Sequence, residues 1–272
     1  MRDPKRIRPF LEKIAEAWEK YPDLRFGQLV LNTVNNKALL YNIEDDIFLK
    51  NLAETVDIDA DYTGAQDYFA MVIECNRDHI YSDIVKDFYE LLRLQGLRFV
   101  GGFWEHPDES YETILKTNQE KLEVNAVGVS GDDTEDDYMQ LLFDYDGNNE
   151  TRSYIYNRPK DNVFTFDIII PEADILSYDA GTIQYFEKKV NKLIELAKKI
   201  WELPFVDGIQ TCLEYSDVPQ TMEALKNKVE ALGVEPFAII SNRFDKEFLS
   251  IQYDVTDINK DGLLVKDKKL NK

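Results

Sequence analysis

The segment SYIYNRPKDNVFTFDIIIP (residues 153–171) decides the fold class, because it contains two runs with the length and composition of β-strands. SYIYNR and VFTFDIIIP are rich in aromatic and β-branched side chains, which favour strands. We expect the two runs to pair with each other. Even these runs fall far short of the roughly 18 consecutive apolar residues typical of a membrane-spanning helix, so we expect no membrane span.

Upstream of this segment, strand-like and helix-like runs alternate. YFAMVIECN (68–76) is a predicted strand, and SDIVKDFYELLRLQG (82–96) is a predicted helix, capped by Ser82 and ended by Gly96. RFVGGFW (98–104) then predicts another strand, followed by a helix from Asp108 to Leu122.

The alternation continues downstream with the clearest helical stripe in the chain, predicted to run from Thr182 to about Glu202. The elements predicted after it are strand VDGIQTCLEYS (206–216), helix TMEALKNKVEALG (221–233), and strands FAIIS (237–241) and FLSIQYDV (248–255). The order predicts an α+β fold, a mainly antiparallel sheet with helices packed on one face.

A small helical N-terminal domain, residues 1–55, is predicted to precede this acidic α+β domain, residues 66–272. Residues 1–55 contain nine Lys/Arg and nine Asp/Glu, so the rest of the chain, with 23 basic and 43 acidic residues, carries all of the net charge of −20. Between the two segments, VDIDADYTGAQ (56–66) has the composition of a linker or exposed loop.

No motif in the sequence predicts catalysis, a metal or a cofactor. The chain has two histidines, neither at zinc-ligand spacing, and it lacks a nucleophile elbow, a phosphate-binding loop and a dinucleotide fingerprint. His106, beside Glu105 and Asp108, could serve as a general base, but a lone histidine at a strand-to-helix turn is more often a surface residue. We therefore expect no enzymatic activity.

The segment DINKDGLL (257–264) partly matches a calcium loop. Asp257, Asn259, Asp261 and Gly262 occupy loop positions one, three, five and six, but Lys268 stands where a bidentate acid should complete the cage. An Asp-Gly hairpin joining FLSIQYDV to LLVK is the favoured interpretation.

The sharpest local feature is an acidic window, residues 122–151, which contains no Lys or Arg. Its acids alternate with apolar and aromatic side chains, a combination suited to binding a basic protein, although a solvated loop and an ordinary core strand explain it equally well. The predicted partner-binding residues are Asp132, Asp133, Glu135, Asp136, Asp137, Asp144, Asp146, Trp104, Tyr138 and Tyr145.

The net charge and the cysteines restrict the partners and the compartment. A net charge of −20 repels nucleic acid and anionic lipid, and it attracts a basic protein partner. Cys75 and Cys212 match no ligand or disulfide pattern, and no secretory signal is visible, so we expect a reduced, cytoplasmic protein.

Two parts of the sequence resemble bacterial families. MRDPKRI, WEKYPDLRFGQLVLN and YNIEDDIFLKNL, in residues 1–55, resemble a short family of uncharacterised proteins, which implies a bacterial or phage-like origin and no function. FVGGFWEHPDESYETILKTNQEKLE (99–123) with the acid-rich loop after it resembles the immunity proteins of polymorphic toxin systems, and this likeness extends loosely over residues 66–272.

The leading functional hypothesis follows from this second resemblance and from the acidic window. It is an immunity or inhibitor protein that occludes a basic toxin or effector, such as a nuclease with a cationic groove. The alternatives are a hydrolase that uses paired carboxylates in a cleft and a phage-type interaction module.

Overall fold

The computed structural model describes residues 5, 7–20, 26–33, 48–49, 52, 67–103, 107–127, 138–179, 182–214, 216, 219–226 and 232–271. The chain divides into two compact units, Met1–Gln66 and Asp67–Lys272, and each is described by itself.

The first unit contains two described helices, α1 (Ile7–Trp18) and α2 (Phe26–Thr33), where the sequence predicts helical elements. Ile14 of α1 and Leu29 of α2 lie in a small core with Phe48 and Leu52. The rings of Phe10 and Phe48 pack with centroids 5.7 Å apart. Phe10, Ile14 and Trp18 of α1 therefore pack in this core, whereas Ile7 and Leu11 are 50% and 53% exposed.

The second unit is the α+β part of the chain, and its elements follow in this order: β1 (Tyr68–Asn76), α3 (Ile84–Leu94), β2 (Arg98–Gly102), α4 (Tyr111–Glu123), β3 (Leu141–Tyr145), β4 (Asn148–Arg158), β5 (Val163–Pro171), β6 (Leu176–Asp179), β7 (Thr182–Tyr185), α5 (Glu187–Trp201), β8 (Val206–Leu213), α6 (Met222–Leu225), β9 (Phe237–Ser241), α7 (Lys246–Gln252), β10 (Tyr253–Ile258) and β11 (Gly262–Asp267).

Nine of these strands form one sheet in the order β10-β11-β9-β8-β1-β5-β4-β3-β2, while β6 and β7 form a separate hairpin. The neighbouring strands of the large sheet pair antiparallel. The predicted pairing of the two deciding runs is confirmed, since β4 and β5 are in register from Arg152 opposite Ile169 to Arg158 opposite Val163. The predicted α+β class is likewise confirmed.

The two faces of the sheet carry different layers. Alternate residues of the central strands, among them Phe69, Ile73, Phe166 and Ile209, point into a large core that also contains the apolar stripes of α3, α4 and α5. We call this side of the sheet the helix-covered face, and the opposite side the second face. On the second face, Ala238 and Ile240 of β9 belong to a smaller core formed with the short helices α6 and α7.

Two predicted elements differ from the structure. The long helix starts at Glu187 and not at Thr182, because residues 182–185 form β7 and pair with β6. FLSIQ (248–252) is helical and not a strand, since the carboxylate of Asp245 caps α7 by accepting hydrogen bonds from the backbone N–H of Glu247 and Phe248. The strand predicted over residues 248–255 therefore begins only at β10.

The helix starts also differ slightly from the sequence interpretation. The first turn of α3 is preceded by Asp83, without a side-chain cap, and not by Ser82. Helix α4 is capped by Ser110, whose Oγ accepts a hydrogen bond from Thr113 N at 3.1 Å. The predicted end of α3 at Gly96 is confirmed, because Gly96 adopts a left-handed φ of 96°.

Across the described part of the chain, the helices are too short or too polar to traverse a lipid bilayer.

Candidate functional site

Only part of the predicted partner-binding set falls within the described residues. Trp104 lies outside them, as does His106, the candidate general base. The five central acids of the window, Asp132, Asp133, Glu135, Asp136 and Asp137, also lie outside the described residues. The binding role assigned to these side chains stays a prediction.

Two acids of the set are paired with cations of the same chain. Asp144 on β3 forms an ion pair with Arg98 on the neighbouring strand β2. Asp146, in the turn after β3, binds Lys189 Nζ at 2.6 Å and Lys192 Nζ at 2.8 Å. Hydrogen bonds from these two lysines lower the pKa of Asp146. Each of these two carboxylates is therefore already paired with a cationic side chain of the same chain.

The two tyrosines of the set lie in the core rather than on an accessible surface. Tyr138 and Tyr145 are only 6% and 7% exposed. The Tyr138 hydroxyl donates a hydrogen bond to the Ala126 carbonyl oxygen at 2.9 Å, and Lys192 Nζ lies 4.9 Å from the Tyr145 ring centroid. Neither ring is available as an exposed anchor, and YMQLLFDYDG supplies the core strand β3.

The DINKDGLL segment forms the turn between β10 and β11, so the hairpin interpretation is confirmed. Lys260 and Asp261 both have left-handed φ angles, 56° and 49°, which close the tight turn. Asp257 forms an ion pair with Lys246 of α7, and Lys260 Nζ donates a hydrogen bond to Val206 O at 3.1 Å. Within the described ranges, no three potential metal ligands converge here or elsewhere.

A groove of about 580 Å³ separates the exposed sides of α3 and α4. Its geometry depends on Gln119, a buried residue of α4 that ties together both helices and the segment before α3. The Gln119 amide accepts a hydrogen bond from Val85 N at 3.1 Å and donates to Tyr81 O at 2.9 Å and Glu123 Oε1 at 2.8 Å. The residues lining the groove are Ser82, Asp83, Lys86, Glu90, Tyr111, Glu112, Leu115, Lys116, Gln119, Glu120 and Glu123.

Acids outnumber bases in this groove. Glu90 pairs with Arg93 at 3.2 Å, and Glu120 contacts Lys116 at 3.8 Å. Asp83, Glu112 and Glu123 are exposed and form no ion pair with a described residue. The groove lining therefore carries net negative charge and also includes two apolar contributors, Leu115 and the Tyr111 ring.

Sequence reasoning missed two buried acids on the second face. Glu74 on β1 is only 5% exposed, and both of its carboxylate oxygens accept a hydrogen bond from Met222 N, at 3.0 and 3.1 Å. Burial raises the pKa of Glu74 to about 7. Helix α6 packs tightly here, since a Cβ added to Gly208, which pairs with Glu74, would lie 2.4 Å from Met222 Sδ.

The second missed acid, Asp167 on β5, is 8% exposed, and its burial raises its pKa to about 6. The hydroxyls of Thr165 and Tyr154 lie close enough to offset this rise in part. Neither satisfies the carboxylate fully, because Asp167 Oδ1 and Thr165 Oγ1 are both buried without a hydrogen-bond partner among the described residues. Desolvation is therefore the main influence on this carboxyl group.

One sequence signal could have found both acids. YFAMVIECN and VFTFDIIIP each contain a single acidic residue inside an otherwise apolar strand. An ionisable side chain at such a position is buried unless that face of the sheet is open, and a buried charge normally requires a partner. Neither acid belongs to the acidic window, residues 122–151.

Comparison with known proteins identifies no family for this chain. No family model matches it, and no curated protein matches it. One solved structure, the Pseudomonas aeruginosa T6SS protein PA0821, is similar with a TM-score of 0.36 and 12% sequence identity. The likeness covers 74% of this chain and 65% of that protein, so this chain spans less than two thirds of its length.

Proposed function

We propose that this protein is a non-enzymatic binding protein that captures a basic protein partner in the groove between α3 and α4. The observation that carries the proposal is the groove itself, about 580 Å³ in volume and lined by five carboxylates and two lysines. Its finer form is an immunity or inhibitor role in the cytoplasm, in which the partner is a basic toxin or effector and the acidic unit occludes its cationic surface.

Two properties of the groove support this assignment. Its exposed carboxylates add to the field of a chain with net charge −20, which speeds encounter with a cationic surface and selects against anionic partners. Its lining also includes Leu115 and the Tyr111 ring, which can contact the partner once it is bound. Long-range attraction and short-range packing thus act at the same place.

The test compares two triple variants of equal charge. The groove variant carries Asp83→Asn, Glu112→Gln and Glu123→Gln. The control carries Asp161→Asn, Glu187→Gln and Glu247→Gln, which neutralises three exposed acids outside the groove. Binding of a synthetic oligoarginine peptide is measured by calorimetry over a series of salt concentrations.

The groove variant should lose roughly tenfold in affinity at low salt, equivalent to about 1.4 kcal/mol, whereas the control should lose much less. The dependence of affinity on salt should also become shallower in the groove variant. Equal losses in the two variants would mean that the peptide responds only to overall charge, and would overturn the assignment of the groove.

A further inference from the structure

The second face of the central strands is only partly covered around Asp167. The register places Tyr154 of β4 opposite Asp167 on one side and Val72 of β1 opposite it on the other. Thr165 and Ile169 flank Asp167 on the same face of β5. The side chains around it are half-buried, namely Ala70, Val72, Arg152, Tyr154, Ile169 and Cys212. A carboxyl group thus lies at the centre of a partly apolar surface.

Two acceptor atoms at this centre lack the partners that buried polar atoms normally have. The Thr165 and Tyr154 hydroxyls interact with the Asp167 carboxyl group, but Asp167 Oδ1 and Thr165 Oγ1 have no well-formed hydrogen bond among the described residues, although Asp167 is more than nine-tenths buried and Thr165 is 2% exposed. A buried acceptor without a hydrogen-bond partner destabilises the fold, and native proteins satisfy the large majority of such atoms.

The cationic side chains near Asp167 do not donate the hydrogen bond that Asp167 Oδ1 lacks. The Arg152 guanidinium carbon lies 4.3 Å from the centroids of both the Tyr68 and the Phe103 rings, between two aromatic faces. Arg158 lies over the Tyr156 ring at 6.0 Å, and it attracts Asp167 without an observed hydrogen bond to it among the described residues. The Arg158 Nε atom is itself buried without a partner there. Asp167 thus has no bonded counterion in the described part of the fold.

We propose that Asp167 and Thr165 form the acceptor pair of a binding site for an organic cation, a primary ammonium or guanidinium group on an alkyl stem. Asp167 Oδ1 takes the charge and one N–H hydrogen bond, and Thr165 Oγ1 accepts a second. The half-buried side chains of Val72 and Ile169 contact the alkyl stem, and the Tyr154 hydroxyl stays on the Asp167 carboxyl group.

The chemistry of the site favours such a group over a metal ion. A hard cation requires several oxygen ligands, usually more than one of them a carboxylate. The described residues contain no group of three His, Cys, Asp or Glu side chains able to hold one. An alkylammonium or alkylguanidinium group needs only one carboxylate and a neighbouring acceptor, and its stem suits the apolar surroundings.

Binding at this site is linked to ionisation of Asp167. Burial raises the pKa of Asp167 to about 6, so the cation must displace a proton below that pH and meets a carboxylate above it. The groups that face Asp167 or Thr165 are Arg152, Tyr154 and Arg158 on β4, Cys212 on β8, and Glu74 on β1, which pairs in register with Thr165 and has a pKa raised by burial to about 7. Burial also raises the pKa of both Tyr154 and Cys212, so neither titrates near pH 6. Affinity should therefore increase as the pH rises through about 6.

The experiment follows the ¹³Cγ resonance of Asp167 in the full chain as the pH is varied. The titration is run without ligand, with butylammonium as a free cation, and with a blocked Ala-Lys-Ala peptide as a protein side chain. A bound cation should lower the pKa of Asp167 by about one unit, which corresponds to tenfold tighter binding to the ionised form. The probe that causes the larger pKa shift shows whether the site prefers a free cation or a protein side chain. No shift with either probe overturns the proposal.

Variants separate the site from general charge effects. Thr165→Val keeps the shape of the side chain, removes one acceptor, and should reduce the shift caused by butylammonium severalfold. Asp161→Asn, a control with the charge change of Asp167→Asn, should leave the shift intact, as should the triple groove variant, because the groove lies against the helix-covered face. Asp167→Asn should abolish the saturation-transfer NMR signal of butylammonium; an undiminished signal in this variant overturns the proposal.

Discussion

The groove between α3 and α4 and the surface around Asp167 both present acids, but in opposite solvent environments. The groove acids Asp83, Glu112 and Glu123 are exposed, so their charge acts at a distance and is screened by salt. On the second face, Glu74 and Asp167 are buried, and desolvation raises their pKa values to about 7 and about 6. Exposed acids therefore attract a charged partner over a distance, whereas buried acids respond to a proton or to a directly bound group.

One residue joins the two regions, and its truncation should have the largest effect. Phe166 lies between Thr165 and Asp167 in β5, and its fully buried ring stacks on Phe88 of α3 with centroids 3.8 Å apart. Phe166→Ala should lower the free energy of unfolding by about 3–5 kcal/mol because it opens a cavity under the groove helix. Urea denaturation measures the loss.

Ile169→Ala, a truncation of a half-buried side chain on the second face, is the matched control for Phe166→Ala. It should lower the free energy of unfolding by no more than about 1–2 kcal/mol, because less apolar area is lost. Equal losses in these two variants would contradict the expectation that packing on the helix-covered face contributes more to stability than packing on the second face.

The pH dependence of stability should be the next largest effect. Because the folded pKa values of Glu74 and Asp167 are raised, their contribution to stability is complete below about pH 4 and is lost as the pH rises through about 6 to 7. Asp167→Asn should therefore stabilise the protein at pH 8 by roughly 2 kcal/mol relative to wild type, and much less at pH 4.

Glu74→Gln should show the same trend as Asp167→Asn, reduced by any weakening of its hydrogen bond with Met222 N. The groove variant provides the contrast, since its exposed acids should change stability by about 0.5 kcal/mol or less at either pH. Thermal unfolding across this pH range checks both expectations, and a wild-type advantage over Asp167→Asn at pH 8 would refute them.

An effect of similar size should come from Gln119, the residue that ties α3 to α4 at the groove. Gln119→Leu keeps the apolar volume but leaves Val85 N and Tyr81 O without their side-chain partner. We expect a loss of about 1–3 kcal/mol in stability. The same variant should bind the oligoarginine peptide more weakly although all five groove acids remain. Unchanged binding would show that the spacing of α3 and α4 does not matter for recognition.

The smallest effect should come from the acid of the window that pairs with lysines. Asp146 is partly exposed and bonded to Lys189 and Lys192, so Asp146→Asn should lower stability by about 0.5 kcal/mol at low salt and less at high salt. Chemical denaturation in urea at two ionic strengths tests this. A loss that grows with salt would contradict an electrostatic origin.

The fold was predictable where local pattern and long-range packing agree. VFTFDIIIP and SYIYNR pair as expected because both runs have strand composition and pack on the same core. FLSIQ was predicted as a strand because its apolar residues suit one, but the Asp245 cap and the burial of Leu249 select a helix. Residues 182–185 continue the periodicity of α5, yet pairing with β6 decides their conformation.

The candidate site was less predictable because exposure and pairing depend on tertiary contacts. The sequence shows that Asp144 and Asp146 are acidic but not that Arg98, Lys189 and Lys192 reach them. Tyr138 and Tyr145 are of a residue type that often anchors interfaces, and only the fold shows that both are buried. The groove acids are spread over two helices and the turn before α3, so no local motif marks them.

The most direct test of the proposed function is an NMR map of oligoarginine binding on the 272-residue chain. Amide shifts are recorded as the peptide is added at low salt and again at high salt. If the groove binds the peptide, the largest salt-sensitive shift changes should fall on residues 82–90 and 111–123, which contribute the groove lining. Changes spread evenly over the acidic unit, or concentrated away from α3 and α4, would contradict binding in the groove.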